Sequence, residues 1–228
     1  MGTDLTVVNA ARVSFDKESD WDSIPFGGKV DGYLSAKDEK LIKYLAKHKH
    51  WTPFGHCSAQ FRIKAPVFVA RQLAKHQVGL VWNEVSRRYV KTDPEFWMAT
   101  YWRQGADDVK QGSSPVEVKS QSLVNYIFSD AERHCADAYK AMLKMGVCAE
   151  QARAILPQSM LTEWYWSGTL MAFARVYGLR KSKDTQLETN RIVLPIGKKW
   201  KDYFLYHGEL YVEYNFKDRL WCSGYSEF

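Results

Sequence analysis

Residues 56–77 read HCSAQFRIKAPVFVARQLAKHQ, and their first half switches period sharply into their second. From His56 to Lys64 the residues alternate: Cys57, Ala59, Phe61 and Ile63 are apolar, while His56, Ser58, Gln60, Arg62 and Lys64 are polar. Side chains of a strand point alternately to its two faces, so this pattern predicts a strand with one buried face. Pro66 then suits the first turn of a helix, where its missing N–H would have no partner in any case. Val67, Phe68, Ala70, Leu73 and Ala74 give that helix an apolar stripe, and Arg71, Gln72, Lys75 and His76 take the other positions. A half-buried strand running directly into an amphipathic helix is a unit of an α+β fold.

Outward from this unit, Leu5–Val8 reads as a short strand and Trp21–Tyr33, with Pro25, Gly27, Gly28 and Gly32, as a loop. Ser35 is a candidate N-cap with Asp38 three residues on, followed by Leu41, Ile42 and Leu45, which predicts a helix over 36–48. The longest periodic stretch is 116–146, where Leu123, Ile127, Ala131, Cys135, Ala138, Met142 and Met145 recur every three or four residues before Gly146. A third helix is expected from Pro157 to Tyr177, broken by Gly178, and a fourth from Ser182, ended or kinked at Pro195. The aromatic, basic tail from Trp200 to Phe228 has no clear assignment. Helices outweigh strands and do not alternate with them regularly, which argues against a doubly wound sheet. The expected architecture is one domain over 1–228, with helices packed on a small, mostly antiparallel sheet.

The chain has 228 residues, of which 46% are hydrophobic and 25% charged. That composition excludes a largely disordered protein, and the length buries a core without metal or disulfide staples. No apolar run approaches a membrane span, and Met1–Phe15 shows no secretory leader, so a soluble, cytoplasmic protein without membrane contact is expected. Cys57, Cys135, Cys148 and Cys222 form no C-x-x-C pair and read as reduced thiols, mostly buried. The net charge of +6 favours anionic partners, which composition alone cannot divide among nucleic acid, nucleotide and phosphorylated cofactor.

Three clusters could carry chemistry. Residues 71–89, RQLAKHQVGLVWNEVSRRY, concentrate Arg71, Gln72, Lys75, His76, Gln77, Asn83, Glu84, Ser86, Arg87 and Arg88. Ser86-Arg87-Arg88 offers a phosphate a hydroxyl, guanidinium forks and backbone N–H groups. The competing reading is a solvated basic helix end with a structural salt bridge through Glu84. The second cluster pairs residues 152–157 (ARAILP) with 178–188 (GLRKSKDTQLE). Arg153 and Arg180 lie beside Ile155, Leu156 and Leu179, and an arginine in apolar surroundings wants a carboxylate or a ligand anion. Gln186 and Glu188 are candidate partners. The third, His48, His50, Thr52 and His56, matches no metal-ligand spacing, so no metal is expected and a polar pocket wall is the better reading. Neither G-x-G-x-x-G nor G-x-x-x-x-G-K-[ST] occurs, so any dinucleotide must bind by another route.

At these residues the sequence resembles the flavin-dependent thymidylate synthases. That family carries Arg-His-Arg, seven residues and then Ser, within an N-E-x-S-x-R-Y run. Asn83, Glu84, Ser86, Arg88 and Tyr89 match the run; the Arg-His-Arg position reads Lys75-His76-Gln77, with eight residues before Ser86 and hence one inserted around Gly79–Trp82. Ala10–Ser14, Leu41–His56 (with Gly55 where an acidic residue is common), Lys64–Gln72, Arg153–Thr162 and Leu179-Arg180 followed by Gln186 and Glu188 resemble further family blocks in order.

The resemblance implies reductive methylation of dUMP to dTMP, with methylenetetrahydrofolate as one-carbon donor, FAD as hydride carrier, NADPH as reductant, and a homotetramer whose sites are shared between subunits. It places dUMP on Gln72, Lys75, Glu84, Ser86, Arg87, Arg88, Arg153 and Arg180, with Arg180 as the catalytic group that promotes ionisation at uracil N3. It places FAD on Ser14, His50, Thr52, Lys75, His76, Gln77, Thr169, Leu170, Met171, Arg175 and Asp184. No cysteine sits in the P-C-H context of the cysteine-dependent thymidylate synthases. Two alternatives stay open at this point: an FAD-binding homologue without synthase activity, and a basic module for single-stranded nucleic acid. The absence of an RNP, KH or helix-turn-helix signature argues against the second.

Overall fold

The computed structural model describes residues 2–23, 32–106, 113–203 and 211–215. Its elements run α1 (Asp4–Arg12), β1 (Asp22–Ser23), β2 (Gly32–Tyr33), α2 (Ala36–Lys47), β3 (Ser58–Pro66), α3 (Val67–Leu73), β4 (Leu80–Glu84), α4 (Gln121–Lys144), α5 (Ala149–Ala152), β5 (Leu161–Thr169), α6 (Leu170–Arg180), α7 (Leu187–Tyr203) and β6 (Tyr211–Asn215). The fold is α+β, around a four-stranded sheet ordered β4-β5-β3-β6.

The alternation expected from residue 56 onward is realised in β3, where Ala59, Phe61, Ile63 and Ala65 are buried. β3 pairs antiparallel with β5 along its whole length, from Ser58 opposite Thr169 to Pro66 opposite Leu161. Trp166 lies opposite Phe61, and Trp164 opposite Ile63, which puts the large side chains on one face. β4 adds antiparallel to the other side of β5, and Trp82 stacks on Trp164 with ring centroids 4.3 Å apart. β6 pairs parallel with β3, the one parallel joint of the sheet. The core lies under this face, where Val69 and Leu73 of α3, Phe173 and Val176 of α6, and Ile192, Val193 and Ile196 of α7 meet the strands. Among the described residues no helix is long and apolar enough to cross a membrane.

Several expectations are corrected. Leu5–Val8 is part of helix α1, not a strand: Thr3 caps it, Thr3 and Thr6 bond reciprocally, and Val7 and Val8 are buried on one side. Trp21–Tyr33 is not all loop, because β1 and β2 pair across it; Pro25, Gly27 and Gly28 lie outside the described residues. The helix expected over 157–177 begins only at Leu170, because residues 161–169 form β5. There Trp164 and Trp166 face inward while Glu163 and Tyr165 do not, the period of a strand. Gly178 does not break α6, which runs on to Arg180. α7 starts at Leu187 rather than Ser182 and passes through Pro195, since burial of Ile192, Val193 and Ile196 on both sides outweighs the lost N–H bond. α4 is shorter than expected, and Leu123 and Ile127 of its apolar stripe are each 58% exposed. Cys57 is buried as expected, but Cys135 is half-buried and Cys148 exposed; Cys222 lies outside the described residues. Of the unassigned tail, the end of α7 and β6 are described.

Candidate active site

Helix α3 leaves β3 and ends at Leu73, and the chain then turns back into β4 through Lys75, His76 and Gln77. The turn is tight: Leu80 N–H donates to Gln77 O at 3.1 Å, and Gly79 takes φ +75°. A positive φ at the third residue of a four-residue turn is the type II geometry that glycine serves. The Gly79 carbonyl accepts from Thr169 N–H at 3.1 Å, which ties this turn to the start of α6. A Cβ on Gly168 would lie 2.4 Å from the same carbonyl, so the two backbones approach as only glycine permits.

β4 then delivers the polar run. The Glu84 carboxylate accepts from Thr162 Oγ1 at 2.6 Å and from Trp82 Nε1 at 3.1 Å. It is therefore fixed by neutral donors, and the salt bridge considered for it is not formed among the described residues. Ser86 Oγ accepts from Arg88 Nε at 3.0 Å and lies 3.4 Å from Arg88 N. Arg88 also sits 5.0 Å over the Tyr89 ring, and Arg87 donates to the Thr92 carbonyl. Ser86, Arg87 and Arg88 thus form a locally organised cationic hook on the exposed side of the sheet edge.

Arg180, the last residue of α6, is half-buried and reaches the turn: its Nε donates to His76 Nε2 at 3.1 Å. An imidazole nitrogen accepts only when it carries no proton, so this bond requires neutral His76 with its proton on Nδ1. Burial, and then the Arg180 charge, lower the His76 pKa below its ordinary 6.5 in the same sense. The Arg180 carbonyl accepts from Asn190 Nδ2 at 2.9 Å. Gln72 Oε1 accepts from the hydroxyl of Thr189, which is fully buried. Gln72, His76 and Arg180 are thus brought together by α3, α6 and α7.

The partners proposed from sequence for the two arginines are corrected. Glu188 pairs with Arg103 at 2.9 Å, not with Arg153 or Arg180. Among the described residues no carboxylate pairs with Arg180. Leu179 is 64% exposed and Ile155 40%, so neither arginine lies in the apolar setting expected. Arg153 is exposed in the turn Arg153–Ile155, with Nε on the Glu150 carbonyl at 3.3 Å.

The remaining candidates gather around the start of α6. The turn Pro53–His56 packs against α1, α6 and β5, and Leu170 N–H donates to the Cys57 carbonyl at 2.8 Å. His50 and Thr52 are exposed beside this turn; the Tyr44 ring meets His48 and His50 in tilted contacts, with centroids 4.3 and 6.0 Å away. Ser14 is exposed just past α1, whose Arg12 binds the buried Asp38 carboxylate. Burial would raise the Asp38 pKa, but hydrogen bonds from Arg12, Ser35 and Ser19 outweigh it and hold the group below 3.8. Thr169 caps α6 by accepting from Ala172 N at 3.2 Å; Met171 is half-buried beside it and Arg175 exposed one turn on. Asp184 is exposed and bonded to Ser182 at 3.4 Å. Cys57, inside this region, is no nucleophile: burial first, then Asp4, pushes its thiol up to about 11.

Arg103, Thr189 and Asn190 were not singled out from sequence, and Thr162 only as the end of a family block without a role, although each touches a candidate residue or its support. Thr189 and Asn190 directly follow the Gln186/Glu188 element, which was the available signal; Thr162 closes the Arg153–Thr162 block, and nothing local marks Arg103.

Comparison with known proteins places the chain in a family. Residues 1–204 match the family described as thymidylate synthase complementing protein. A flavin-dependent thymidylate synthase of Thermosipho africanus is 34% identical over 98% of this chain and 92% of its own. One from Thermus thermophilus is 33% identical over 89% of this chain and 69% of its own. Among solved structures, the UMP/dUMP methylase PolB from Streptomyces cacaoi bound with 5-Br dUMP superposes with a TM-score of 0.74 at 25% identity, covering 88% of this chain and 86% of that one. The chain belongs to the flavin-dependent thymidylate synthase family.

Proposed function

We propose that this enzyme methylates dUMP at C5 to give dTMP, taking the one-carbon unit from methylenetetrahydrofolate, with FAD as hydride carrier and NADPH as reductant. The methylene unit must gain two electrons to become a methyl group, so the reaction needs a reductant. The observation that carries the reading is Arg180: its half-buried guanidinium has no carboxylate partner among the described residues and is held by His76, while Asn190 holds its main-chain carbonyl. A guanidinium stays protonated and stabilises negative charge as it builds on the uracil imide, which makes C5 nucleophilic. Gln72, Lys75, Glu84, Arg153 and the hook of Ser86, Arg87 and Arg88 are the other dUMP contacts in this reading, the hook taking the phosphate.

The donor set around the start of α6 fits FAD. Hydroxyls of Ser14, Thr52 and Thr169, the His50 ring and Arg175 suit its pyrophosphate and sugars. Lys75, His76, Gln77, Leu170 and Met171 supply a mixed polar and apolar wall for the ring, and Asp184 suits a ribose hydroxyl. FAD, when bound there, supplies hydride transfer. The chain acts as one unit over 1–228 and assembles as a homotetramer that shares its sites. In the test, purified protein is supplied with FAD, NADPH, methylenetetrahydrofolate and dUMP, and dTMP is assayed. A yellow protein forming dTMP is expected, with R180A lowering turnover at least 100-fold without loss of fold. A flavin-loaded protein forming no dTMP overturns the reading, and wild-type turnover by R180A removes the role given to Arg180.

A further inference from the structure

Three consecutive residues of the first turn of α7 each hold a different part of the chain. Glu188 binds Arg103, with both side chains largely buried. Thr189 donates to Gln72 Oε1 of α3, and Asn190 donates to the carbonyl of Arg180 at the end of α6. We infer that this turn sets the spacing between Gln72 and Arg180, and that Thr189 and Asn190 are positioning residues for the pyrimidine nucleotide. The inference rests on the reading of Gln72 and Arg180 as nucleotide contacts.

Two features separate this from ordinary packing. First, Thr189 binds the acceptor end of the Gln72 amide, which leaves the two Nε2 N–H donors to face a ligand. A pyrimidine dione presents carbonyl oxygens, so the orientation seen here, with Oε1 on the Thr189 hydroxyl, is the one that recognition of such a base needs. Without that hydroxyl the amide oxygen loses the partner that anchors it, and the side chain is no longer held in place. Second, the Arg180 carbonyl is one of the last in its helix, which intrahelical bonds leave without a donor. Asn190 supplies the donor, so the main chain of Arg180 is fixed independently of its guanidinium, which His76 holds through Nε. The terminal nitrogens of Arg180 then project from a point anchored twice. Glu188 and Arg103 lock the start of α7 itself, so both bonds originate from a fixed base.

The test uses the FAD-loaded protein and compares T189V, T189S and N190A with wild type. The readouts are dUMP affinity by titration calorimetry, KM and kcat, bound flavin absorbance and the melting temperature. T189V is nearly isosteric and removes only the hydrogen bond; N190A is the second probe, at a half-buried position. T189V and N190A are expected to raise the Kd and KM for dUMP roughly tenfold, the effect of one misplaced contact, with flavin content unchanged. T189S, which keeps the hydroxyl, is expected within about twofold of wild type. T189V with wild-type dUMP affinity overturns the inference. So does T189S as impaired as T189V, which would make the methyl group rather than the hydroxyl decisive. Wild-type protein that binds no dUMP overturns the functional reading, and this inference with it.

Discussion

Neutral His76 accepts the Arg180 Nε–H, and protonated His76 cannot. Its folded pKa is depressed below 6.5, so the unfolded chain binds this proton more tightly than the folded one. The contribution of the contact is therefore whole above 6.5 and is lost as the pH falls through the lower folded value. Stability measured by urea titration in steps from about pH 7.5 to about pH 5 should decline more steeply in wild type than in H76N, which keeps an acceptor that does not titrate. Parallel profiles would dissociate His76 from the acid limb. Asp4 works in the opposite sense: burial, then the Glu39 charge, raises its pKa from 3.8 to about 6. Its contribution is whole below 3.8 and is lost as pH rises through about 6. D4N should therefore gain on wild type in melting temperature between about pH 4 and about pH 7.

At the scale of elements, the decisive contact is between the Gln77–Leu80 turn and the end of β5. A methyl group on Gly168 would meet Gly79 O and Leu80 Cδ2 at 2.4 and 2.6 Å, and the first of these is backbone that cannot step aside. G168A should cost about 3 kcal/mol or prevent folding, read as a shift in urea midpoint. G178A is the contrasting case, with open space around the position in a helix, and should stabilise α6 by roughly 0.5–1 kcal/mol. The same elements show what the sequence discloses. β3 was legible because one face is buried and the other wet, so period two is clean. β5 was not: Trp164, Tyr165 and Trp166 put large rings on both faces in succession, and this aromatic run also offers helical spacings. The short run Leu5–Val8, three apolar residues around Thr6, fits either period, and only the Thr3/Thr6 cap decides for a helix. In the site, the polar run of 71–89 and Arg180 stood out by composition and by family resemblance. The Thr189–Gln72 bond spans 117 positions and Arg103–Glu188 spans 85, separations over which no local pattern survives.

For the whole molecule, the exposed side chains of α4 bear on assembly. Leu123, Tyr126 and Ile127 are 58%, 68% and 58% exposed at helical spacing, an apolar face of the kind that copies of a chain cover for one another. If α4 joins the proposed tetramer, L123E/I127E should lower the mass seen by light scattering from about four times 26.4 kDa to that of a smaller species. β4, which ends at Glu84, is one of the two edge strands of the four-stranded sheet, so the proposed phosphate hook of Ser86, Arg87 and Arg88 follows directly from a sheet edge. A cavity beside it, lined by Lys64, Arg87, Glu95 and Thr162, holds about 140 Å³, against roughly 300–1,000 Å³ for small-molecule pockets. Where the proposed tetramer completes a site at that edge, turnover per chain should fall on dilution and recover on reconcentration.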